Sequence, residues 1–192
     1  MKNMAEDEFG RLSGIVFLAG PPGAGKSSVA HALFRRHPRA MHADVDALRA
    51  LVRSGFADPT LPWSAETRAQ FRLARRAARA MADLYVAERY LVIVDDMVVP
   101  RNPDMRIWSG LGDAMLARVV LLPRTRVAVE RNRTRKRGKV TQRLASLIPR
   151  IRKEFAEEPR PRGWSYVDNS ALTVEETADA VEAIILRRRR GA

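Results

Sequence analysis

Short apolar runs alternate with longer amphipathic segments along most of the chain. The apolar runs are rich in Val, Ile and Leu and lie at residues 15–19, 40–43, 91–94, 119–122 and 165–167. Segments with helical periodicity separate most of these runs, at about 26–36, 46–54, 64–88, 103–116, 124–136, 143–157 and 173–189. Short strands that alternate with helices are typical of a parallel sheet covered by helices on both faces. The pattern therefore predicts a single α/β domain with a five-stranded parallel sheet.

Two of the predicted helices begin with capping signals. Ser64 precedes a segment rich in Ala and Arg, with Glu66 in the first turn, which favours an N-cap at Ser64. Residues 173–176 read TVEE and fit the S/T-x-x-E capping box. These signals support the assignment of both segments as helices.

Length and composition limit the class of protein. With 192 residues the chain can form one well-buried core, so we predict one domain over residues 13–186, a flexible lead-in at 1–12 and a basic tail at 187–192. The absence of cysteine excludes disulfides, thiolate metal sites and cysteine nucleophiles. The acidic start does not resemble a signal peptide, and no apolar run approaches the roughly 18 residues of a membrane span. We therefore expect a cytoplasmic protein without a membrane partner.

A glycine-rich turn follows the first apolar run and precedes the first predicted helix. Residues 20–27 read GPPGAGKS and fit the phosphate-loop pattern G-x-x-x-x-G-K-[ST]. In such a turn the backbone N–H groups and the positive end of the next helix bind the phosphates of a nucleotide. We predict ATP as the ligand, with GTP as the alternative, and Mg²⁺ as its companion. The predicted contacts are Gly20, Pro22, Gly23, Ala24, Gly25, Lys26, Ser27 and Ser28, with Lys26 on the β and γ oxygens and Ser27 on the metal.

Two aspartates follow the second apolar run. Asp44 and Asp46 lie where a strand is predicted to end, and ligands of open α/β sheets bind at the carboxyl ends of strands. Phosphoryl transfer to a hydroxyl requires a carboxylate that orients the hydroxyl and accepts its proton, and we assign this role to Asp46. Asp44 is predicted to hold Mg²⁺ through water. The alternative for Asp46 is an N-cap of the following helix.

Three further residues complete the predicted metal and acceptor sites. Arg49 lies one helical turn after Asp46. We predict that it either binds an acidic group of the acceptor or is a solvated surface arginine. Asp95 and Asp96 end the third apolar run, and adjacent acids at a buried strand end repel each other unless a cation lies near. We assign Asp95 to the metal and Asp96 to the acceptor, although the spacing alone allows the reverse.

The net charge of +13 is concentrated in two segments. Between Arg124 and Lys153 there are twelve Lys and Arg residues and a single acid, and four arginines occupy 187–190. We interpret the first segment in part as a lid, at about 133–145, that closes over the triphosphate. The second is interpreted as a solvated helix end.

Two arginines and one asparagine are predicted to contact the nucleotide. Arg131 and Arg135 are four residues apart on one helix face and are assigned to the γ-phosphate. Asn169 follows the last apolar run and is predicted to lie beside the nucleobase, although turn formation explains this segment equally well.

Taken together, these motifs resemble those of the small P-loop kinases of the adenylate, shikimate and gluconate kinase type, most closely the group that contains chloramphenicol phosphotransferase. The resemblance covers residues 14–186, and the phosphate loop is its most specific part. It implies transfer of the γ-phosphate of ATP to a hydroxyl of a small molecule, with an antibiotic or nucleoside-like natural product as a reasonable acceptor. It also implies that Asp46 is the acceptor-side base and that Asp44 lies on the metal side.

Two other functions compete with this interpretation. The spacing from Asp46 to Arg49 is also similar to the Asp-x-x-Arg element of 5′-hydroxyl polynucleotide kinases, and the basic lid segment is consistent with a nucleic-acid partner. However, the sequence has no basic strand interleaved with aromatic residues that would stack bases. The third possibility is a nucleotide-dependent switch that transfers phosphate only to water. The sequence does not indicate the oligomeric state.

Overall fold

Five parallel strands form one sheet, in the order β2-β3-β1-β4-β5. A computed structural model describes residues 12–134 and 145–190 of the chain. The strands are β1 (Gly14–Ala19), β2 (Ala40–Asp44), β3 (Leu91–Asp96), β4 (Met115–Leu121) and β5 (Ser165–Val167). The predicted five-stranded parallel sheet is thereby confirmed.

Helices cover both faces of this sheet. They are α1 (Lys26–Arg36), α2 (Val45–Arg49), α3 (Ala65–Ala87), α4 (Thr125–Thr134), α5 (Ile148–Ala156) and α6 (Val174–Arg190). On one face the core includes Val16, Leu18, Leu33 and Val181, beneath α1 and α6. On the other face the core includes Phe17, Ala78, Trp108 and Phe155, beneath α3 and α5. In the described part of the chain, no helix is both long and apolar enough to cross a membrane.

Both predicted capping signals are confirmed. Ser64 Oγ accepts a hydrogen bond from the backbone N–H of Thr67 at 3.0 Å and caps α3. At the start of α6, the backbone N–H of Thr173 donates to the Glu176 carboxylate at 2.8 Å, and the N–H of Glu176 donates to Thr173 Oγ1 at 3.1 Å. The two bonds form the reciprocal capping box.

The predicted helix at 103–116 is wrong. This segment contains two 3₁₀ turns, Pro103–Trp108 and Gly112–Ala114, and β4 then begins at Met115, four residues before the predicted strand. Gly110 and Gly112 adopt the left-handed conformation, which interrupts a helix. The ring of Trp108 packs edge-on against Phe17 at 5.1 Å, so the segment is anchored to the sheet by one large side chain.

The end of another predicted helix also differs. Helix α2 ends at Arg49 instead of continuing to residue 54. Residues 50–64 then form a loop, which the sequence pattern had assigned in part to the helix. The last predicted helix is confirmed, because α6 continues to Arg190 and so includes the arginines that were interpreted as a helix end.

Candidate functional site

The glycine-rich turn connects β1 to α1 in the conformation that the phosphate-loop pattern requires. Gly23 has a φ of 78°, and a Cβ atom there would lie 2.0 Å from the carbonyl oxygen of Ala128 in α4. Gly25 has a φ of 91° and precedes α1 without a side-chain cap. The first N–H groups of α1 therefore keep their capacity to bind an anion. Lys26 Nζ donates to the carbonyl oxygen of Gly20 at 3.1 Å, at the mouth of the turn.

Asp95 forms a compact polar cluster with the end of the phosphate loop. Ser27 Oγ donates to Asp95 Oδ2 at 2.6 Å, and Lys26 Nζ lies 3.8 Å from Asp95 Oδ1. His42 Nε2, on β2, lies 3.6 Å from Asp95 Oδ2. Burial alone would raise the pKa of Asp95, but the charge of Lys26, the nearby imidazole of His42 and the hydrogen bond from Ser27 lower it below its usual value. Asp95 is therefore an ionised carboxylate beside the phosphate loop.

The chemistry of this cluster fits a magnesium ion bound with a nucleotide. A hydroxyl and a carboxylate supply the hard oxygen ligands that Mg²⁺ prefers, and this ion normally takes its remaining ligands from phosphates and water. Among the described residues, no group of three or more His, Asp or Glu side chains forms a metal site by itself. Ser27 and Asp95 are thus the residues that would hold the metal once the phosphates are bound.

Asp96 faces the opposite side of the sheet. Successive strand residues point to opposite faces, so Asp95 and Asp96 meet different partners. Arg75 of α3 donates to both oxygens of Asp96, at 2.7 and 3.3 Å, and its second amino group lies 2.8 Å from Asp104. Burial raises the pKa of Asp96, and Arg75 opposes this rise. The carboxylate that was predicted to bind the acceptor is engaged in a buried ion pair.

Asp44 and Asp46 have different structural surroundings. Asp44 Oδ1 accepts the backbone N–H of Ala47 at 3.0 Å, so Asp44 is the N-cap of α2. Asp46 is the second residue of that helix and does not cap it. Within residues 12–134 and 145–190, the Asp46 carboxylate forms no hydrogen bond or ion pair.

Asp46 is nevertheless surrounded by charged groups. Its side chain is accessible to solvent, yet the protein encloses it closely enough that burial raises its pKa to about 6. The charge of Lys26 acts in the opposite direction, and the charges of three neighbouring carboxylates raise the pKa further. These carboxylates are Asp96, Asp44 and Asp95. Asp46 is therefore a free carboxylate close to the phosphate-loop lysine, with a pKa near neutrality.

Arg49 is buried between two aromatic rings. Its guanidinium carbon lies 4.3 Å from the ring centre of Phe56 and 4.4 Å from that of Phe71. One amino group donates to the carbonyl oxygen of Ala57 at 2.7 Å, and burial lowers the pKa of Arg49. Arg49 is thus not a solvated surface arginine, and in this conformation it holds the loop after α2.

A cavity of about 330 Å³ lies beside the phosphate loop, between α1, α4 and the start of α6. Arg131 lines it and donates to the carbonyl oxygens of Asn169 and Leu172, at 3.0 and 3.3 Å. Asn169 Nδ2 donates to the carbonyl oxygen of Ala24 at 3.0 Å and so ties this wall to the phosphate loop. Asn169, which was predicted to lie beside the nucleobase, is part of the wall of this cavity. Arg135 and most of the predicted lid lie outside the described residues.

A sequence profile for a family described as an AAA domain matches residues 15–157. The chain belongs to this family. No curated protein is similar enough in sequence to be counted as a relative.

Solved structures with the same fold include several kinases. The tunicamycin resistance protein of Deinococcus radiodurans is 21% identical, with a TM-score of 0.60 over 90% of this chain and 95% of that one. Shikimate kinase from Acinetobacter baumannii is 18% identical, with a TM-score of 0.57 over 95% and 97%. A gluconokinase from Sinorhizobium meliloti is 21% identical, with a TM-score of 0.59 over 92% and 94%. The fold is therefore that of the P-loop kinases, as the resemblance in the sequence implied.

Two residues of the site were not predicted from the sequence. His42 precedes Asp44 by two residues, and strand alternation, which places both on the same face, is the signal that could have found it. Arg75 lies on the inner face of a helix with five arginines, and nothing in the sequence separates it from the others. Its role depends on the packing of α3 against β3.

Proposed function

We propose that this protein is a phosphotransferase that moves the γ-phosphate of ATP to a hydroxyl group of a small molecule. The observation that carries the proposal is the free carboxylate of Asp46, which has a pKa of about 6 and lies close enough to Lys26 for their charges to interact. The phosphate loop and the 330 Å³ cavity beside it support the position of the nucleotide.

In the proposed reaction, Asp46 orients the acceptor hydroxyl and takes its proton. The acceptor oxygen forms a bond to the γ-phosphorus while the bond between that phosphorus and the bridging oxygen of ADP breaks. A base with a pKa near 6 is mostly ionised at neutral pH and remains basic enough to accept a proton in the transition state. Lys26 neutralises charge on the phosphates, and Mg²⁺, held by Ser27 and Asp95, would neutralise more.

Three of the predicted site residues have only indirect roles in this proposal: Asp44, Asp96 and Arg49. Asp44 caps α2 and is close enough to affect Asp46 electrostatically, and we propose no more for it than a water-mediated place on the metal side. Asp96 supports the acceptor side indirectly, through its ion pair with Arg75. Arg49 holds the loop that follows α2 through its bond to Ala57, and we assign it no direct contact with the acceptor.

The proposed acceptor is an antibiotic or a nucleoside-like compound. Apolar side chains are exposed in and beside the loop that follows α2: Leu51, Phe56, Leu61 and Trp63. Such side chains suit an acceptor with an apolar or aromatic body better than a simple sugar. The tunicamycin resistance protein with the same fold gives a reason to begin with antibiotics.

The burial of Arg49 weighs against the polynucleotide kinase alternative. An arginine that grips a nucleic-acid phosphate must present its guanidinium to the polymer, whereas Arg49 is sandwiched between Phe56 and Phe71. The test is incubation with γ-labelled ATP and separate pools of antibiotics, nucleosides, sugars and 5′-hydroxyl oligonucleotides. Label on a small molecule supports the proposal. Label on an oligonucleotide end, or only in free phosphate, contradicts it.

Asp46→Asn tests the assignment of the base. We expect transfer to fall by at least about a hundredfold while nucleotide binding persists, because the amide cannot accept the proton. Asp113→Asn is the matched control, since Asp113 is an exposed aspartate at the opposite end of the sheet, before β4. If Asp46→Asn retains most of its turnover, Asp46 is not the base.

A further inference from the structure

Helix α3 has two apolar faces. Its inner face packs on the sheet through Phe71, Ala74, Ala78 and Ala82, which are buried. A second apolar row, called the α3 stripe here, is exposed to solvent on the outer side. The α3 stripe consists of Leu73, Ala77, Ala80, Leu84 and Ala87. A helix with apolar residues on both faces is expected to be covered on both.

The two leucines of the α3 stripe are unusually exposed. Leu73 and Leu84 expose 59% and 69% of their surface. The outer side of α6 differs, because its exposed positions include Glu175, Glu176 and Asp179. The apolar row is therefore a feature of α3 that α6 does not share.

The spacing of the α3 stripe is that of a two-helix seam. From Leu73 to Ala87 the steps are four, three, four and three residues, which is the a/d repeat of a coiled coil. The order Leu-Ala-Ala-Leu also reads the same in both directions about a point between Ala77 and Ala80. A surface that is its own complement is what a twofold-symmetric interface requires.

We propose that the α3 stripe is the seam of a homodimer in which the α3 helices of two copies pack antiparallel. In this arrangement Leu73 of each copy lies level with Leu84 of the other, and Ala77 lies level with Ala80. The small alanines let the two helices approach closely at the centre, and the leucines fill the two ends.

The charges beside the seam favour the antiparallel orientation. Arg76 and Asp83 are exposed, and each directly precedes a residue of the seam on the same side of it. An antiparallel pair brings these equivalent sides together, so Arg76 of each copy meets Asp83 of the other. A parallel pair would instead bring Asp83 towards Glu88 of the second copy, which is a repulsive contact.

The size of the seam sets the expected affinity. Between its two leucines it spans about 17 Å at roughly 1.5 Å per residue, which places the contact at the small end of specific interfaces. We therefore expect dissociation in the micromolar range. Two copies that each carry a net charge of +13 repel each other, so moderate salt should strengthen the dimer by screening this repulsion. A contact made of ion pairs alone would instead become weaker as salt is added.

Disulfide trapping tests the orientation, and the absence of cysteine from the chain makes each introduced thiol unique. Ala77→Cys and Ala80→Cys are prepared with different tags, mixed and oxidised mildly. The proposal predicts that the mixed 77–80 cross-link exceeds both self-cross-links. Ala183→Cys, at an exposed alanine of α6, is the control for random collision. Dominant 77–77 and 80–80 products, or no cross-link above that control, would overturn the antiparallel seam.

Sedimentation of the intact protein tests the interface itself. Leu84→Lys should raise the dissociation constant of the dimer at least about tenfold, because it buries a charge in the seam. Leu51→Lys is the matched control, since Leu51 is 66% exposed and lies outside α3. Circular dichroism checks that both variants are folded. A wild-type chain that stays monomeric up to about millimolar concentration, or equal dissociation constants for the two variants, refutes the proposal.

A charge exchange provides a second, independent measurement. Arg76→Asp should weaken the dimer, because two acids then meet across the seam. Adding Asp83→Arg to the same chain should restore it. Asp83→Arg also removes the ion pair of Asp83 with Arg79 in its own helix, so the double variant is compared with both single variants. A double variant that dimerises no better than the two single variants predict independently would show that these two residues do not face each other. None of these readouts depends on phosphoryl transfer, so the result is separate from the proposed function.

Discussion

Ser27 Oγ donates a 2.6 Å hydrogen bond to Asp95 Oδ2. The bond joins the first turn of α1 to the end of β3, two elements 68 residues apart in the chain. It holds a hydroxyl and an ionised carboxylate together beside Lys26. The groups proposed to bind the metal are thus brought together by contacts within the fold.

Asp95→Asn should reduce turnover by at least about a hundredfold and raise the Mg²⁺ concentration needed for half-maximal rate. The amide keeps the shape of the side chain and removes its negative charge. Because the pKa of Asp95 is lowered in the folded protein, some loss of fold stability is expected as well. The measurement is a Mg²⁺ titration of phosphoryl transfer for the wild type and the variant. An unchanged Mg²⁺ requirement would remove Asp95 from the metal site.

Asp96→Asn should lower the stability of the fold and leave the Mg²⁺ requirement nearly unchanged. Its charge compensates the buried guanidinium of Arg75, so the substitution should lower the free energy of unfolding by about 3 kcal/mol. Denaturant titration measures this loss. We expect the Mg²⁺ requirement of the folded variant to remain close to that of the wild type. If Asp96→Asn is as stable as the wild type, the ion pair does not hold α3 to the sheet.

The rate should depend on pH through Asp46. Its pKa is raised to about 6, and only the ionised form accepts a proton. We therefore expect kcat/KM to rise about tenfold per unit at pH values well below 6 and to level off above 7. Nucleotide affinity, measured separately over the same range, controls for effects on binding. A flat profile between about pH 5 and 7 would contradict Asp46 as the base.

Gly23→Ala should abolish nucleotide binding or prevent folding. The added Cβ would lie 2.0 Å from the carbonyl oxygen of Ala128, so the phosphate loop and α4 cannot both keep their places. Gly55→Ala is the matched control, because Gly55 has a similar φ of 72° but no atom within 4 Å of the added Cβ. The control should show only the backbone strain of about 1 kcal/mol. Equal effects in both variants, measured by nucleotide titration and thermal unfolding, would indicate that strain and not the clash with α4 is responsible.

Local patterns in the sequence were sufficient for much of the fold. The alternation of short apolar runs and helical segments predicted the five parallel strands, because that alternation reflects burial on both faces of a sheet. Capping at Ser64 and Thr173 was also predictable, since each cap is formed by residues three positions apart. The helix expected at 103–116 failed, because its 3₁₀ turns depend on Gly110 and on the contact of Trp108 with Phe17.

The sequence by itself determined the phosphate loop and the edge of the sheet at which the aspartates gather, because both follow from residues that are neighbours in the chain. Only the tertiary structure decided which partner each of these aspartates contacts. It turned Asp95 towards Ser27 and Asp96 towards Arg75, and it used Asp44 as the helix cap, which leaves Asp46 free. These choices depend on contacts between residues far apart in the chain. A sequence pattern carries the chemistry of each side chain, but not the partner that it meets after folding.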